Sequence, residues 1–485
     1  MTRTPPRTPN LLVILSDQHQ AQAMSCAGHP VVQTPNLDAL AARGTRFTNA
    51  YTPSPICVPA RAAFATGQYC HRIRCWDNAM PYSGQPRGWG HALQDKGIRV
   101  ESIGKLHYRS TEDDAGFDVE HIPMHVHEGK GMVWGSIRRE DERVYKHHVR
   151  MMGDTVGPGE SNYTRYDAAV TERTCGWLQE AAGDDKPWCL YVGLVAPHHP
   201  LIAPPEFYDM YPHDALPSDK LRPKDGYEQH PWIAKTAAAM VGEDGWTGED
   251  ERRVAIAAYY GLTSWMDHNV GRIVAALKAS GQFDDTTIVY SSDHGESLGV
   301  RGLWGKMNMY QESAAIPLIV APAPAAGKTP PALCATAATL LDVSETILAH
   351  FGASLEGERP GMSLYEMAEA PENTERVVFS EYHAVGAVSA SYMIRKGRWK
   401  LIDYVGFPPE LFDLDADPEE MRNRAQDPDA AEVLRDLYAE LAAICDREAV
   451  NAQAFADQDK MIAGYGGREI AMNIGAPSST PPPTA

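Results

Sequence analysis

Residues 10–20 read NLLVILSDQHQ. Asn10 to Ser16 is a short apolar run, and it ends in Asp17-Gln18-His19-Gln20. A buried strand that ends in polar residues presents them at its carboxyl edge, where α/β sheets place their sites. The pattern recurs along the chain. TTIVYSSDHGES (residues 286–297) is a β-branched apolar strand ending in Asp293-His294-Gly295. VESIGKLHY (residues 100–108) is a strand that runs into a polar tip. PWCLYVGLVAPHHP (residues 187–200) carries an apolar run from Trp188 to Ala196 that stops at Pro197-His198-His199-Pro200. The two prolines forbid its continuation.

Helices separate these strands. TPNLDALAARGTRFTNAY offers Asn36 or Thr34 as a cap, Leu37, Leu40 and Ala41 as an apolar face, and Gly44 as a stop. Glu251 to Gln282 has apolar residues at helical spacing and ends at Gly281. Strands alternating with helices over about 350 residues argue for an α/β sandwich with a largely parallel sheet. Near residue 372 the texture changes. VVFSEYHAVGAVSASYMIRKGRWKLIDY reads as several short strands with turns, an antiparallel subdomain, followed by a charged helix near Ala430 to Glu448. The expected organisation is an α/β domain over residues 1–372 and a C-terminal subdomain over 373–485. The end, IGAPSSTPPPTA, is low-complexity and reads as a disordered segment or an arm.

Composition narrows the function. The chain has 485 residues, 43% hydrophobic and 22% charged, as in an ordinary globular protein of one large and one smaller domain. Its formal net charge of −20 disfavours nucleic acid as a partner. A small anionic substrate fits only where cations are gathered locally. No apolar run reaches the roughly 18 residues of a membrane span. The polar, proline-rich start MTRTPPRTPN and the short run LLVIL do not make a secretory signal, so a cytoplasmic protein is expected. Eight cysteines, at 26, 57, 70, 75, 175, 189, 334 and 445, form no CxxC pair. Most are expected to be reduced, buried and inert, and on burial preference alone that includes Cys57.

The strand ends carry the candidate chemistry. Asp17 and Gln18 end one strand, Asp293 and His294 another. Oxygen ligands with an imidazole suit a hard or borderline divalent cation such as Ca²⁺, Mg²⁺ or Mn²⁺. A single Asp at a strand end is more often a turn former or cap; two strands ending alike shift the balance toward a metal. Lys105 and His107 are two apart, so an extended chain points them to one face, where they suit holding an anion and passing a proton. His198 occupies a similar place, with His199 as its competitor. Lys306, in RGLWGKMNMYQES, follows a glycine-marked loop and taken singly is a surface lysine. In YTPSPICVPARAAFATGQ (residues 51–68), a helix beginning at Pro59 puts Arg61 in its first turn. A cation there is unfavourable unless an anion is near.

Together these segments resemble a known family. Cys57-Val58-Pro59-Ala60-Arg61 is similar to the C-x-P-x-R signature of type I sulfatases, which share the alkaline-phosphatase-like sandwich. VILSDQ, SIGKLHY, VAPHHPLIAPP and IVYSSDHGESLG resemble the other family segments in family order, and MIRKGRWKLIDY with ELFDLDADPEEMRN resembles the C-terminal subdomain. CWDNAMPY, with Asn78, and RGLWGKMNMYQESAAIPLIV resemble the branch of choline sulfatases, certain arylsulfatases and phosphonate monoester hydrolases. Ala315 departs from the arginine of many relatives, and the His- and Met-rich stretch from Phe117 to Pro158 matches no family segment. That stretch is a candidate lining for the substrate pocket.

The resemblance implies a fold with a large mixed, mainly parallel sheet between helices and a small antiparallel α+β subdomain. It implies that Cys57 is oxidised to formylglycine by a maturation enzyme, and that its hydrate attacks the sulfur of a small sulfate ester. Asp17, Gln18, Asp293, His294 and residue 57 would hold one divalent metal, Ca²⁺ first and Mn²⁺ as the alternative. Arg61 would stabilise the hydrate. Lys105, His198 and Lys306, with Asn78, would surround the ester; His198 or Lys306 would protonate the leaving alcohol, and His107 would take the proton on which sulfate release depends. A homo-oligomer, dimer or tetramer, is expected. Two rival readings are a phosphonate monoester or phosphodiester hydrolase on the same scaffold and a non-catalytic, metal-stabilised binding protein. The Lys105 and His107 pair, which phosphonate monoester hydrolases tend to lack, favours sulfate esters.

Overall fold

The computed structural model describes residues 9–142, 156–184, 186–217, 220–239, 242–243, 246–475 and 480–483. Its main sheet has eight strands: β1 (Asn10–Asp17), β2 (Thr45–Phe47), β3 (Arg99–Lys105), β4 (Val119–Met124), β5 (Trp188–Pro197), β6 (Thr286–Ser292), β7 (Leu318–Ala321) and β8 (Leu333–Cys334). The spatial order is β8-β2-β7-β6-β1-β5-β3-β4. Every neighbouring pair is parallel except those of β7, which runs antiparallel to β6 and β2.

β1 lies at the centre, and its apolar run explains why. Leu11 to Leu15 are all fully buried, because helices cover both faces of the sheet. Five helices matter here: α1 (Pro35–Ala42), α2 (Cys57–Thr66), α3 (Asn162–Glu180), α4 (Glu249–Ala279) and α5 (Leu340–His350). Leu12 and Ile14 point to the face covered by α1, α3 and α4, where Leu37, Trp177 and Met266 meet them. Leu11, Val13 and Leu15 point to the opposite face, against Val58 and Phe64 of α2 and Val343 of α5. The period of two along a strand thus sorts one apolar run into two cores. Among the described residues, no helix is long and apolar enough to cross a membrane.

The C-terminal part forms its own antiparallel sheet of β9 (Val377–Tyr382), β10 (Ser391–Lys396), β11 (Trp399–Tyr404) and β12 (Glu410–Asp413), paired in chain order. Ile394, Leu401 and Leu411 pack on α6 (Ala431–Ile444) through Leu437 and Leu441.

The choice between two caps is decided, and three local expectations change. Thr34 occupies the cap position of α1, and Asn36 lies inside the helix with its amide bonded to Asp267 of α4 at 2.8 Å. α2 begins at Cys57 and not at Pro59, so Arg61 falls in its second turn. β3 ends at Lys105, and His107 takes a left-handed backbone with φ of 58°, so Lys105 and His107 do not share an extended strand. The charged C-terminal helix is two: Asp446, just past α6, accepts from the Glu448 and Ala449 amides and starts α7 (Arg447–Gly464). Part of the His- and Met-rich stretch, residues 143–155, lies outside the described residues.

Candidate active site

Strand register brings the distant motifs together. β1 pairs in parallel with β6 so that Ser16 lies opposite Ser292, which sets Asp17 beside Asp293. On the other side β1 pairs with β5, and a register shift after Leu15 puts Asp17 opposite Pro197, next to His198. β3 follows β5, with Gly104 opposite Gly193. The approach there is close: a Cβ on Gly193 would lie 2.1 Å from the Lys105 carbonyl oxygen. Lys105 therefore ends its strand within reach of Asp17. α2 starts over these ends and delivers Cys57.

Cys57 Sγ lies 3.1 Å from His294 Nε2 and 3.7 Å from Asp17 Oδ1. Ligand atoms of Asp17, Cys57, Asp293 and His294 all fall within 4.8 Å of one another, and all four residues are buried. Among the described residues this is the only such group of potential metal ligands. His294 Nδ1 lies 3.0 Å from the Gly295 carbonyl, so the proton sits on Nδ1 and the Nε2 lone pair faces the carboxylates. Burial pushes the His294 imidazole pKa down and keeps it neutral.

Cations surround the group. Arg61 Nε donates to Asp293 Oδ2 at 2.8 Å, and its terminal nitrogens reach Asp17 Oδ2 at 3.1 Å, the Lys105 carbonyl and the Tyr191 hydroxyl. Lys105 Nζ is 2.7 Å from Asp17 Oδ2. Lys306 Nζ is 2.6 Å from Gln18 Oε1 and 2.8 Å from His198 Nε2. Burial pushes the Asp17 carboxyl up, but the Lys105, Arg61 and Lys306 cations outweigh it and hold it well below the usual carboxylate range. The same burial, with the Asp17 charge, pushes the Cys57 thiol up to about 11. Such a thiol stays protonated near neutral pH and is a poor nucleophile.

His198 Nδ1 lies 2.6 Å from the His199 carbonyl, so its Nε2 accepts from Lys306. Burial, then His199 and Lys306, hold its pKa well below the usual imidazole range. This geometry selects His198 over His199 as the residue that faces the cluster. His107 is also kept neutral, by burial and then by Lys105 and Arg61. Asn78 Oδ1 accepts from the Val58 amide at 3.1 Å, in the first turn of α2, which places that side chain next to Cys57.

Two contributors escaped the sequence reading. Glu296 is fully buried; one carboxylate oxygen accepts from Gln18 Nε2, the other from the Leu298 and Gly305 amides. It thereby fixes the Gln18 amide with Oε1 toward Lys306, and ties down the loop that carries Lys306. The signal was a second carboxylate three residues after Asp293. Tyr191 sits inside an apolar strand, and only the fold shows its hydroxyl on Arg61.

Comparison with known proteins gives the family. The family described as Sulfatase matches residues 9–353, and the N-sulphoglucosamine sulphohydrolase C-terminal family matches residues 299–447. A choline-sulfatase of Rhizobium meliloti is 34% identical over 437 residues, covering 87% of this chain and 83% of the relative. Arylsulfatase K of Homo sapiens is 29% identical over 451 residues, covering 86% of this chain and 79% of the relative. Among solved structures, a phosphonate monoester hydrolase of Agrobacterium radiobacter superposes with a TM-score of 0.73 at 25% identity, covering 92% of this chain and 96% of that one. A single family match spanning the strand ends, the Cys57 helix and the Lys306 loop places the chain in the sulfatase family, hydrolases of sulfate esters.

Proposed function

We propose that this sulfatase converts sulfate monoesters of aryl or small alkyl alcohols to the alcohol and inorganic sulfate, through formylglycine made from Cys57. The observation that carries the reading is the place of Cys57 Sγ, at the start of α2 among Asp17, Asp293 and His294, with the Lys105 and Lys306 ammonium groups close by. As a thiol the residue is a poor nucleophile, and oxidation by a formylglycine-generating enzyme supplies a hydrate whose hydroxyl attacks sulfur.

The residues present fit a divalent cation. Two buried carboxylates, an imidazole lone pair aimed at them and the Gln18 amide oxygen make a set of hard and borderline donors. Asp17, Gln18, Asp293, His294 and residue 57 would hold Ca²⁺, with Mn²⁺ as the alternative. When bound, the cation neutralises sulfuryl oxygens and favours the anionic form of the attacking hydroxyl.

Arg61 holds Asp17 and Asp293 in position from behind. Lys105 and Lys306 put positive charge where the peripheral and bridging oxygens of the ester arrive. Lys306 carries the proton closest to the leaving alcohol, and His198 Nε2, which accepts from Lys306, stands ready to share it. Neutral His107 is the base for the second hydroxyl of the hydrate. Asn78, with Oδ1 on the Val58 amide of α2 and Nδ2 at 3.9 Å from Met132 Sδ, would turn that nitrogen to the ester.

A second reading, hydrolysis of phosphonate monoesters, is favoured by the structural likeness to the Agrobacterium radiobacter enzyme. Both esters are tetrahedral anions, so the same cations serve either. The chain co-produced with a formylglycine-generating enzyme decides between them. The peptide holding residue 57 is expected to be lighter by about 18 Da, and kcat/KM for p-nitrophenyl sulfate is expected to exceed that for a phenyl phosphonate ester. A preference for the phosphonate overturns the sulfate assignment.

A further inference from the structure

Thr480, in the C-terminal segment, lies against the site of its own chain. The Thr480 hydroxyl oxygen lies 2.8 Å from His107 Nε2, and the Thr480 carbonyl accepts from the Tyr163 hydroxyl at 2.6 Å. Tyr163 belongs to the first turn of α3, and its ring stands edge-on to His198 with centroids 5.8 Å apart. One tail residue therefore bridges the His107 side of the site and the His198 side.

The chain before the tail is anchored nearby. Ala471 and Ile474 pack with Ala79, Val133 and Ile137. Gly475 approaches so closely that a Cβ there would lie 2.1 Å from the Gly131 carbonyl oxygen. Ala79 follows Asn78, whose side chain bonds the first turn of α2. After Thr480 come Pro481, Pro482 and Pro483, which fix φ and make a stiff, extended end. The reactive groups are enclosed: Cys57 and Lys105 are 1% exposed, His198 5%, His107 6% and Lys306 8%.

We propose that Thr480 is a specificity-determining residue: with Pro481, Pro482 and Pro483 it walls the His107 side of the site, admitting esters of small alcohols and excluding those of oligosaccharides. The proposal rests on the sulfatase reading of the site. A bulky alcohol must displace Thr480, which strips one hydrogen bond from His107 and another from Tyr163, each needing a replacement partner.

The test compares the full chain, matured at residue 57, with Thr480→Val and with a chain ending at Gly475. The point variant keeps the shape of the side chain and removes only its hydroxyl, so a folding defect of the shorter chain does not decide the outcome. Two readouts are taken. Carbethoxylation of His107 by diethyl pyrocarbonate, followed by peptide mass spectrometry, reports access to Nε2. The ratio of kcat/KM for p-nitrophenyl sulfate to that for a sulfated tetrasaccharide reports selection. Both variants are expected to label about tenfold faster, and the ratio to fall about tenfold, as the loss of a hydrogen bond implies. Unchanged labelling or an unchanged ratio overturns the proposal. Labelling of the full chain that varies with protein concentration also overturns it, since a second copy would then donate the tail. If no form turns over either sulfate, the sulfatase reading has failed, and the labelling alone decides the place of the tail.

Discussion

Arg61 sets the electrostatics of the site. Its guanidinium is 1% exposed and spans Asp17 and Asp293, both fully buried. Two carboxylates this close and this dry need a shared counter-charge, and a planar fork supplies it along two directions at once. Removing one partner of a buried pair leaves the other uncompensated. Arg61→Met is therefore expected to destabilise the metal-free protein by about 3–5 kcal/mol, read from urea unfolding; a loss near zero would mean that Lys105 suffices alone. Glu296 acts one step further out. Because it holds Gln18 Nε2, Glu296→Gln sets amide against amide and frees Gln18 to flip. Metal affinity of the stripped protein is expected to fall about 10–100-fold, measured by calorimetric titration, and an unchanged affinity would remove Glu296 from the metal's support.

At the scale of elements, the site is a meeting of strand ends, and its precision depends on how closely the strands approach. Gly193 allows β5 to lie against the end of β3, since a Cβ would collide with the Lys105 carbonyl. Gly193→Ala is expected to push β3 away, cost about 1–3 kcal/mol, and lower kcat/KM for a sulfate ester more than a similar loss of stability elsewhere. A second glycine-to-alanine variant matched in melting temperature checks this. The loop between β1 and α1 holds a titrating group. His29 Nδ1 accepts from the Val31 and Val32 amides, and burial, with a smaller push from Lys220, lowers its pKa to about 4. A histidine with a depressed folded pKa stabilises above its unfolded value, near 6.5, and loses that contribution as pH falls through about 4. Stability is thus expected to decline from pH 6.5 toward pH 4, with up to one proton taken up on unfolding that His29→Asn removes. Equal slopes of unfolding free energy against pH in the two proteins would show that His29 carries none of it.

For the whole molecule, the large architecture was legible because apolar runs of fixed length leave little choice. NLLVILS and TTIVYSS both read as strands followed by an aspartate and a second ligand type, Asp17-Gln18 and Asp293-His294, and the fold pairs them in register. What stayed hidden depended on contacts that periodicity does not encode. His107 leaves the strand through a left-handed residue, so the same-face argument for Lys105 and His107 fails although both stay near Asp17. The helix at Cys57 begins two residues earlier than Pro59 suggests, which moves Arg61 inward to two carboxylates. Thr480 lies in a segment whose composition signals only a loose end, and only the folded chain shows it on His107. The charge of −20 likewise concealed a cationic pocket, because Arg61, Lys105 and Lys306 converge from three distant segments. The central claim is that residue 57, matured from cysteine, hydrolyses sulfate esters. The most direct test is the rate of p-nitrophenyl sulfate hydrolysis by the chain and by Cys57→Ala, both co-produced with a formylglycine-generating enzyme. Turnover by the first and at least about a thousandfold less by the second is expected, as for loss of a covalent nucleophile; equal rates in the two would contradict it.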